Sequence, residues 1–138
     1  LWIGAEYLSK EPLTAAVRDY DTEWKEVVQW VWHGMVTAEE MGLTSTNLAD
    51  APTDSATTRF LTGSPWLGTE ANSLAPNFMT HVLEAVGNYG EAYDRSFCDG
   101  TYDGTSGSDA MTGCVLPRAN TENALVSEGG LMYAPAWR

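Results

Sequence analysis

The sequence predicts a mainly α fold with one or two short strands. Three observations carry that expectation. Apolar residues recur at steps of three or four along the longest patterned stretch. Residues able to cap a helix stand ahead of such stretches, and glycines stand behind them. Strand-like stretches are few: one or two extended segments in the opening, the better one at residues 13–18, and the "LMY" at 131–133.

The opening, "LWIGAEYLSKEPLTAAVRD", has no helical period, and Pro12 forbids a smooth helix through it. Its better extended segment is residues 13–18. The strongest helix follows, over residues 22–41. Asp21 or Thr22 can cap it, and Glu23 and Glu26 complement the positive end of its dipole. Trp24, Val27, Val28, Val31, Met35, Ala38 and Met41 form the apolar stripe, and Gly42 supplies the stop. Glu39 and Glu40 read as a solvated face. Trp30 and Trp32 fall off the stripe. Either they pack beneath a neighbouring segment, such as residues 44–70 folding back, or they form a partner contact, since Trp is enriched at interfaces.

Shorter pieces come next. Ser45 or Thr46 can cap a single turn reaching Ala51, which Pro52 ends. "DSATTRFLTG" predicts a helix over residues 55–61, stopped by Gly63. Pro76 or Asn77 opens another, with Phe78, Val82, Leu83 and Val86 on one face. Gly87 and Gly90 bracket a bend, after which Tyr89, Ala92, Tyr93 and Phe97 continue helically. Asn120 or Thr121 would cap a last helix through Ser127, ended by Gly129 and Gly130, and the tail after Pro135 is extended. No internal repeat, heptad or domain-sized linker occurs, so residues 1–138 read as one domain.

With 138 residues, 43% of them hydrophobic and six of them Trp, the chain can bury a real core. No run of about 18 apolar residues occurs that could span a bilayer. The formal charge of −12 excludes the basic footprint of a nucleic-acid binder and disfavours docking on anionic lipid. The charge fits a soluble, self-repelling surface, or more sharply a marine, halophilic or lumenal extracytoplasmic protein. Without an initiator Met or a signal-peptide pattern, the expectation is a processed chain or part of a longer one.

Cys98 and Cys114 flank "DGTYDGTSGSDAMTG", a Gly-rich stretch too flexible to order itself. A bridge there would remove roughly 3 kcal/mol of unfolded-state entropy, and we expect a disulfide-closed loop over 98–114 in an oxidising compartment. Catalytic patterns are missing: no HExxH, GxSxG, CxxC, P-loop or GxGxxG occurs. His33 and His81 stand on separate predicted helices. Asp99, Asp103 and Asp109 offer oxygens that calcium likes, but their spacing misses the EF-hand pattern, and a plain loop is expected. No enzyme activity, cofactor or metal is expected.

Four blocks in order resemble the periplasmic general amino-acid-binding proteins: "LSKEPLTAAVRDYDTEWKEVVQW", "AEEMGLTSTN", "VGNYGEAYDR" and "ENALVSEGGLMYAPAWR", the last with Ala136 and Trp137 as departures. The 98–114 segment is not part of that pattern. The resemblance implies an extracytoplasmic setting, periplasm or organelle lumen, and a partial lobe of a periplasmic-binding-protein-like α/β fold. It implies two-lobe receptors of about twice this length or more, feeding ABC transporters, of which these blocks form the C-terminal part. It carries no ligand residue onto this chain. Closure of two lobes needs both cleft walls, so an amino-acid ligand is expected only with the missing lobes supplied. The function expected first is a non-enzymatic accessory or structural subunit. It would dock on another polypeptide or a larger assembly, with Trp30 or Trp32 at the contact. The alternative is an amino-acid-binding receptor seen in part. An enzyme or a new small-ligand site would need a convergent polar pocket that the linear sequence does not show.

Overall fold

Helix α1, Thr22–Glu40, is the spine of the computed structural model, which describes residues 13–63, 67, 73–102 and 111–137. The Asp21 carboxylate accepts from the Trp24 amide at 3.1 Å and so caps the helix. Gly42 ends it at φ 68°, a conformation that L side chains resist, and lets the Leu43 amide reach back to the Ala38 carbonyl. Among the described residues three α-helices follow: α2, Ser55–Thr62, α3, Phe78–Val86, and α4, Tyr89–Phe97. Asp54 caps α2, and Asn88 and Glu91 form a reciprocal capping box on α4. Helix α1 packs on α3 and α4, and α2 packs on α3.

Ala38, Leu43, Phe60, Leu67, Phe78, Met79 and Leu83 form the core. The indole of Trp137 closes it, with its centroid 5.0 Å from Phe60 and 5.4 Å from Trp30, both edge-on. A residue that departs from the resemblance thus brings the C-terminal tail onto the core. The Cys98–Cys114 disulfide is formed, as the intervening composition predicts.

Several expectations are corrected. On α3, Met79 is fully buried whereas Val86 is 42% exposed, because the face turned to the core runs through Phe78, Met79 and Leu83. Gly90 lies inside the first turn of α4, and the bend is made by Gly87 and Asn88. The single turn before Pro52 is a 3-10 turn, Leu48–Asp50, led by Asn47 instead of Ser45 or Thr46. Asn47 accepts from the Thr44 amide and donates to the Gly42 carbonyl.

The helix expected to run to Ser127 shrinks to a 3-10 turn, Val126–Glu128. The carbonyls of Glu122, Ala124 and Leu125 are taken by the amides of Leu131, Met132 and Gly130, and the Asn123 carbonyl accepts from Arg118. A returning chain therefore holds the acceptors that a helix would need. The "LMY" strand is reduced to one parallel bridge, Leu125 to Met132, and no strand forms among the described residues. Residues 14–17 lie outside any helix, strand or turn, and the expected extended segments before Leu13 fall outside the described residues.

Candidate functional site

An open groove of about 510 Å³ runs between residues 13–17 and the outer face of α1. Leu13, Ala15 and Val17 line one side, Val28 and Trp32 the other, and Met132 reaches in from the C-terminal loop. The lining is mainly apolar, with Lys25, Gln29 and His33 contributing the polar atoms of α1. Burial pushes the His33 imidazole below its ordinary 6.5, so the ring is neutral at pH 7. Its Nε2 faces the Gln29 side chain at 3.3 Å, and its buried Nδ1 has no partner among the described residues. This surface suits recognition by burial of apolar groups; among its described lining residues no nucleophile and base are set against one another.

Behind Trp32 an aromatic ladder leads inward. Trp32 packs on Tyr89, Tyr89 on Tyr93 and Tyr93 on Phe97, at 5.0, 6.1 and 4.8 Å. The Arg118 guanidinium lies over the Tyr89 and Tyr93 rings, 4.9 and 5.4 Å from their centroids. It grips both Glu39 oxygens, at 2.6 and 3.3 Å, and its Nε donates to the Asn123 carbonyl at 2.8 Å. Both side chains of the pair are fully buried. Burial pushes the Glu39 carboxyl above its ordinary value, and the hydrogen bond and charge of Arg118 pull it part of the way back. The pair fixes α1, α4 and the loop after the disulfide relative to one another.

A second polar lock joins two of the motif blocks. The Glu91 carboxylate accepts from the Ser45 hydroxyl at 2.6 Å and from the amides of Ser45 and Asn88, while the Asn88 side chain donates to the Leu43 carbonyl. Tyr102 lays its ring against Gly90 and donates its amide to Asp94, whose other oxygen is buried with no partner among the described residues. Burial raises the Tyr102 phenol well above the ordinary 10, the neighbouring Glu39 charge adding to the effect.

Of the expected site residues, Trp32 lines the groove and is 43% exposed, whereas Trp30 packs against the core and against Trp137. His33 and His81 do not meet: each bonds to neighbours on or beside its own helix, His81 to Asn77 and Glu84. Asp99 is held by the Thr101 and Thr112 hydroxyls, which lower its pKa, while Asp103 and Asp109 lie outside the described residues. Among the described residues no three metal-capable side chains are placed to hold an ion. Sequence reasoning missed the Glu39–Arg118 pair. It took Glu39 as solvated, yet Glu39 follows the buried Val36 and Ala38 on the helix, and only its distant partner makes burial tolerable.

No protein-family model matches the chain. The general L-amino acid-binding periplasmic protein AapJ of Rhizobium johnstonii is 34% identical over 139 residues, covering 96% of this chain and 36% of that protein. The glutamate/glutamine/aspartate/asparagine-binding protein BztA of Rhodobacter capsulatus is 35% identical over 135 residues, with the same coverage. An ABC transporter periplasmic binding protein from Brucella ovis, solved with glutathione bound, superposes with a TM-score of 0.67 at 26% identity, over 88% of this chain and 35% of that one. The chain thus spans about a third of the length of the relatives it matches. These relatives are named as binding proteins, and the periplasmic location printed for the AapJ and Brucella proteins agrees with the disulfide. The chain is thus extracytoplasmic and similar along almost its whole length to about a third of the span of periplasmic amino-acid-binding proteins, and it shares that part of their fold.

Proposed function

We propose that the chain serves solute binding as the C-terminal part of an amino-acid-binding receptor of an ABC transporter. The observation that supports this reading is the match at 34–35% identity running along 96% of the chain. The buried polar pairs fit the role. Glu91 and Asn88 tie "GLTSTN" to "VGNYGE", and Arg118 ties Glu39 to Asn123 in the closing block, so these blocks are held to one another by buried and part-buried polar bonds. Blocks so held suit a closing receptor, whose parts move as units.

The accessory-subunit reading has one observation in its favour: the groove beside Trp32 offers an apolar surface that a partner protein could cover. Titration calorimetry with glutamate, glutamine, aspartate and asparagine separates the two. The chain is assembled with the part of the AapJ protein that lies outside the aligned segment. Saturable binding near micromolar Kd, about −8 kcal/mol, supports the receptor. A stable assembly that binds none of these supports the accessory role instead.

A further inference from the structure

The Cys98–Cys114 bridge joins two stems of chain, residues 98–102 and 111–118, and both stems end against the buried Glu39 carboxylate. From the first stem, Tyr102 lays its ring over Gly90 and donates its amide to Asp94 at 3.1 Å. A Cβ on Gly90 would lie 2.8 Å from that ring and 2.8 Å from a Glu39 oxygen, so ring and carboxylate share one seat. From the second stem, the Leu116 carbonyl accepts from the Tyr93 hydroxyl at 2.9 Å, and Arg118 holds both Glu39 oxygens. Beside the sulfurs, the Val115 amide donates to the Phe97 carbonyl at 2.8 Å and the Asp99 amide to the Thr112 carbonyl at 3.1 Å. Both cysteines are half-buried, and Asp99, Thr112 and Gly113 next to them are exposed. The bridge is thus at the surface, whereas the groups that its stems deliver are in the interior.

A covalent tie lowers the entropy that the stems lose when they dock. Docking in turn makes the burial of Glu39 tolerable, because a carboxylate with neither a cation nor water is strongly disfavoured. With the tie cut, letting the stems go is the way to hydrate Glu39. Neither stem contributes a residue to the hydrophobic core, which α1, α2, α3 and Trp137 build, so the core does not need them. We propose that Cys98–Cys114 is a redox-sensitive clasp: a dithiol opens the two stems and uncovers Glu39 and Tyr102 while α1, α2 and α3 stay folded. In that step a thiolate of the dithiol attacks one sulfur of the bridge and the other cysteine leaves as a thiolate. The second thiol of the reagent then displaces the first cysteine. Two electrons and two protons pass to Cys98 and Cys114, which become thiols, and the dithiol becomes its own disulfide. The clasp is independent of whether the chain serves a receptor or an accessory subunit.

The test equilibrates the 138-residue chain with mixtures of reduced and oxidised dithiothreitol, counts thiols by alkylation and mass, and follows the helices by far-UV circular dichroism. Amide hydrogen exchange is read at Tyr102 and Val115 in both redox states. Reduction should leave most of the helical signal in place and speed exchange at these two amides at least about tenfold, while amides of α1 and α3 remain protected. The Cys98→Ser, Cys114→Ser double variant should match the reduced chain without reductant. Linkage supplies a second readout that a merely structural bridge would not move. If the bridge favours the docked stems, the docked stems favour the bridge by the same factor. Glu39→Gln weakens the grip on Arg118, so it should shift the dithiothreitol equilibrium towards thiols at least about tenfold, some 30 mV. Should Glu39→Gln fail to fold, Tyr102→Ala on the first stem carries the same measurement. Loss of the helical signal on reduction overturns the clasp, since the bridge would then support the whole fold. Unchanged protection at Tyr102 and Val115 in the reduced chain also overturns it, as does a dithiothreitol equilibrium that the substitution leaves where it was.

Discussion

Replacing Arg118 by Ala should be among the most damaging changes available to this chain. The guanidinium is fully buried, holds both Glu39 oxygens, donates to the Asn123 carbonyl and covers two tyrosine rings. Removing it strands a buried carboxylate, which costs about 3–5 kcal/mol, and deprives a carbonyl of its donor, about 1 kcal/mol more. A domain of this size has about 5–15 kcal/mol to lose. Urea unfolding followed by far-UV circular dichroism should therefore show a large drop in the midpoint with little change in slope. Protonation relieves the stranded charge. Burial already raises the Glu39 pKa, and Arg118→Ala removes the groups that lower it. The raised value means the folded state binds the proton more tightly, so the penalty should be smaller at pH 5 than at pH 8. Glu39→Leu combined with Arg118→Met should recover most of the loss, because it removes both charges from the interior. A single mutant within about 1 kcal/mol of wild type, insensitive to pH, would refute the account of the pair as desolvated and mutually dependent.

Gly90→Ala should destabilise by about 1–3 kcal/mol despite the better helix propensity, because a Cβ there would meet the locked Glu39 oxygen and the Tyr102 ring at 2.8 Å; a stabilised variant in thermal unfolding would contradict the packing. Tyr89, Tyr93 and Tyr102 have phenols raised by burial, so the stability they lend is complete below pH 10 and is lost as pH rises through their higher folded values. Absorbance at 295 nm should show Tyr89, Tyr93 and Tyr102 ionising late and together with unfolding, and their ionisation near pH 10 in the folded chain would count against the burial. Reduction of Cys98–Cys114 should lower stability by roughly 3 kcal/mol, read as a shift in urea midpoint with and without reductant, and an unchanged midpoint would mean that hydrogen bonds such as those of Asp99 to Thr101 and Thr112 suffice to hold the loop ends. The chain by itself should give no saturable heat with amino acids, since it spans about a third of the receptors it matches; a micromolar isotherm would place a whole site within it.

Much of the fold was determined locally and was legible in the residues. Asp21, the three-four apolar spacing and Gly42 set the bounds of α1 through capping, burial and backbone freedom within a single segment. The ends of α2 and the Cys98–Cys114 bridge followed from composition beside them in the chain. The larger failures depended on a distant partner. Glu39 is buried only because Arg118, 79 residues away, arrives to neutralise it. The expected helix before Gly129 is lost because the returning amides of Gly130, Leu131 and Met132 claim its carbonyls. Trp30 and Trp32 are two residues apart on one helix, and periodicity leaves both off the stripe; Trp137 draws Trp30 onto the core, and Trp32 is left lining a groove. Short-range propensity and capping act through neighbours that the sequence displays side by side. Charge burial and acceptor competition are decided by groups that only folding brings together.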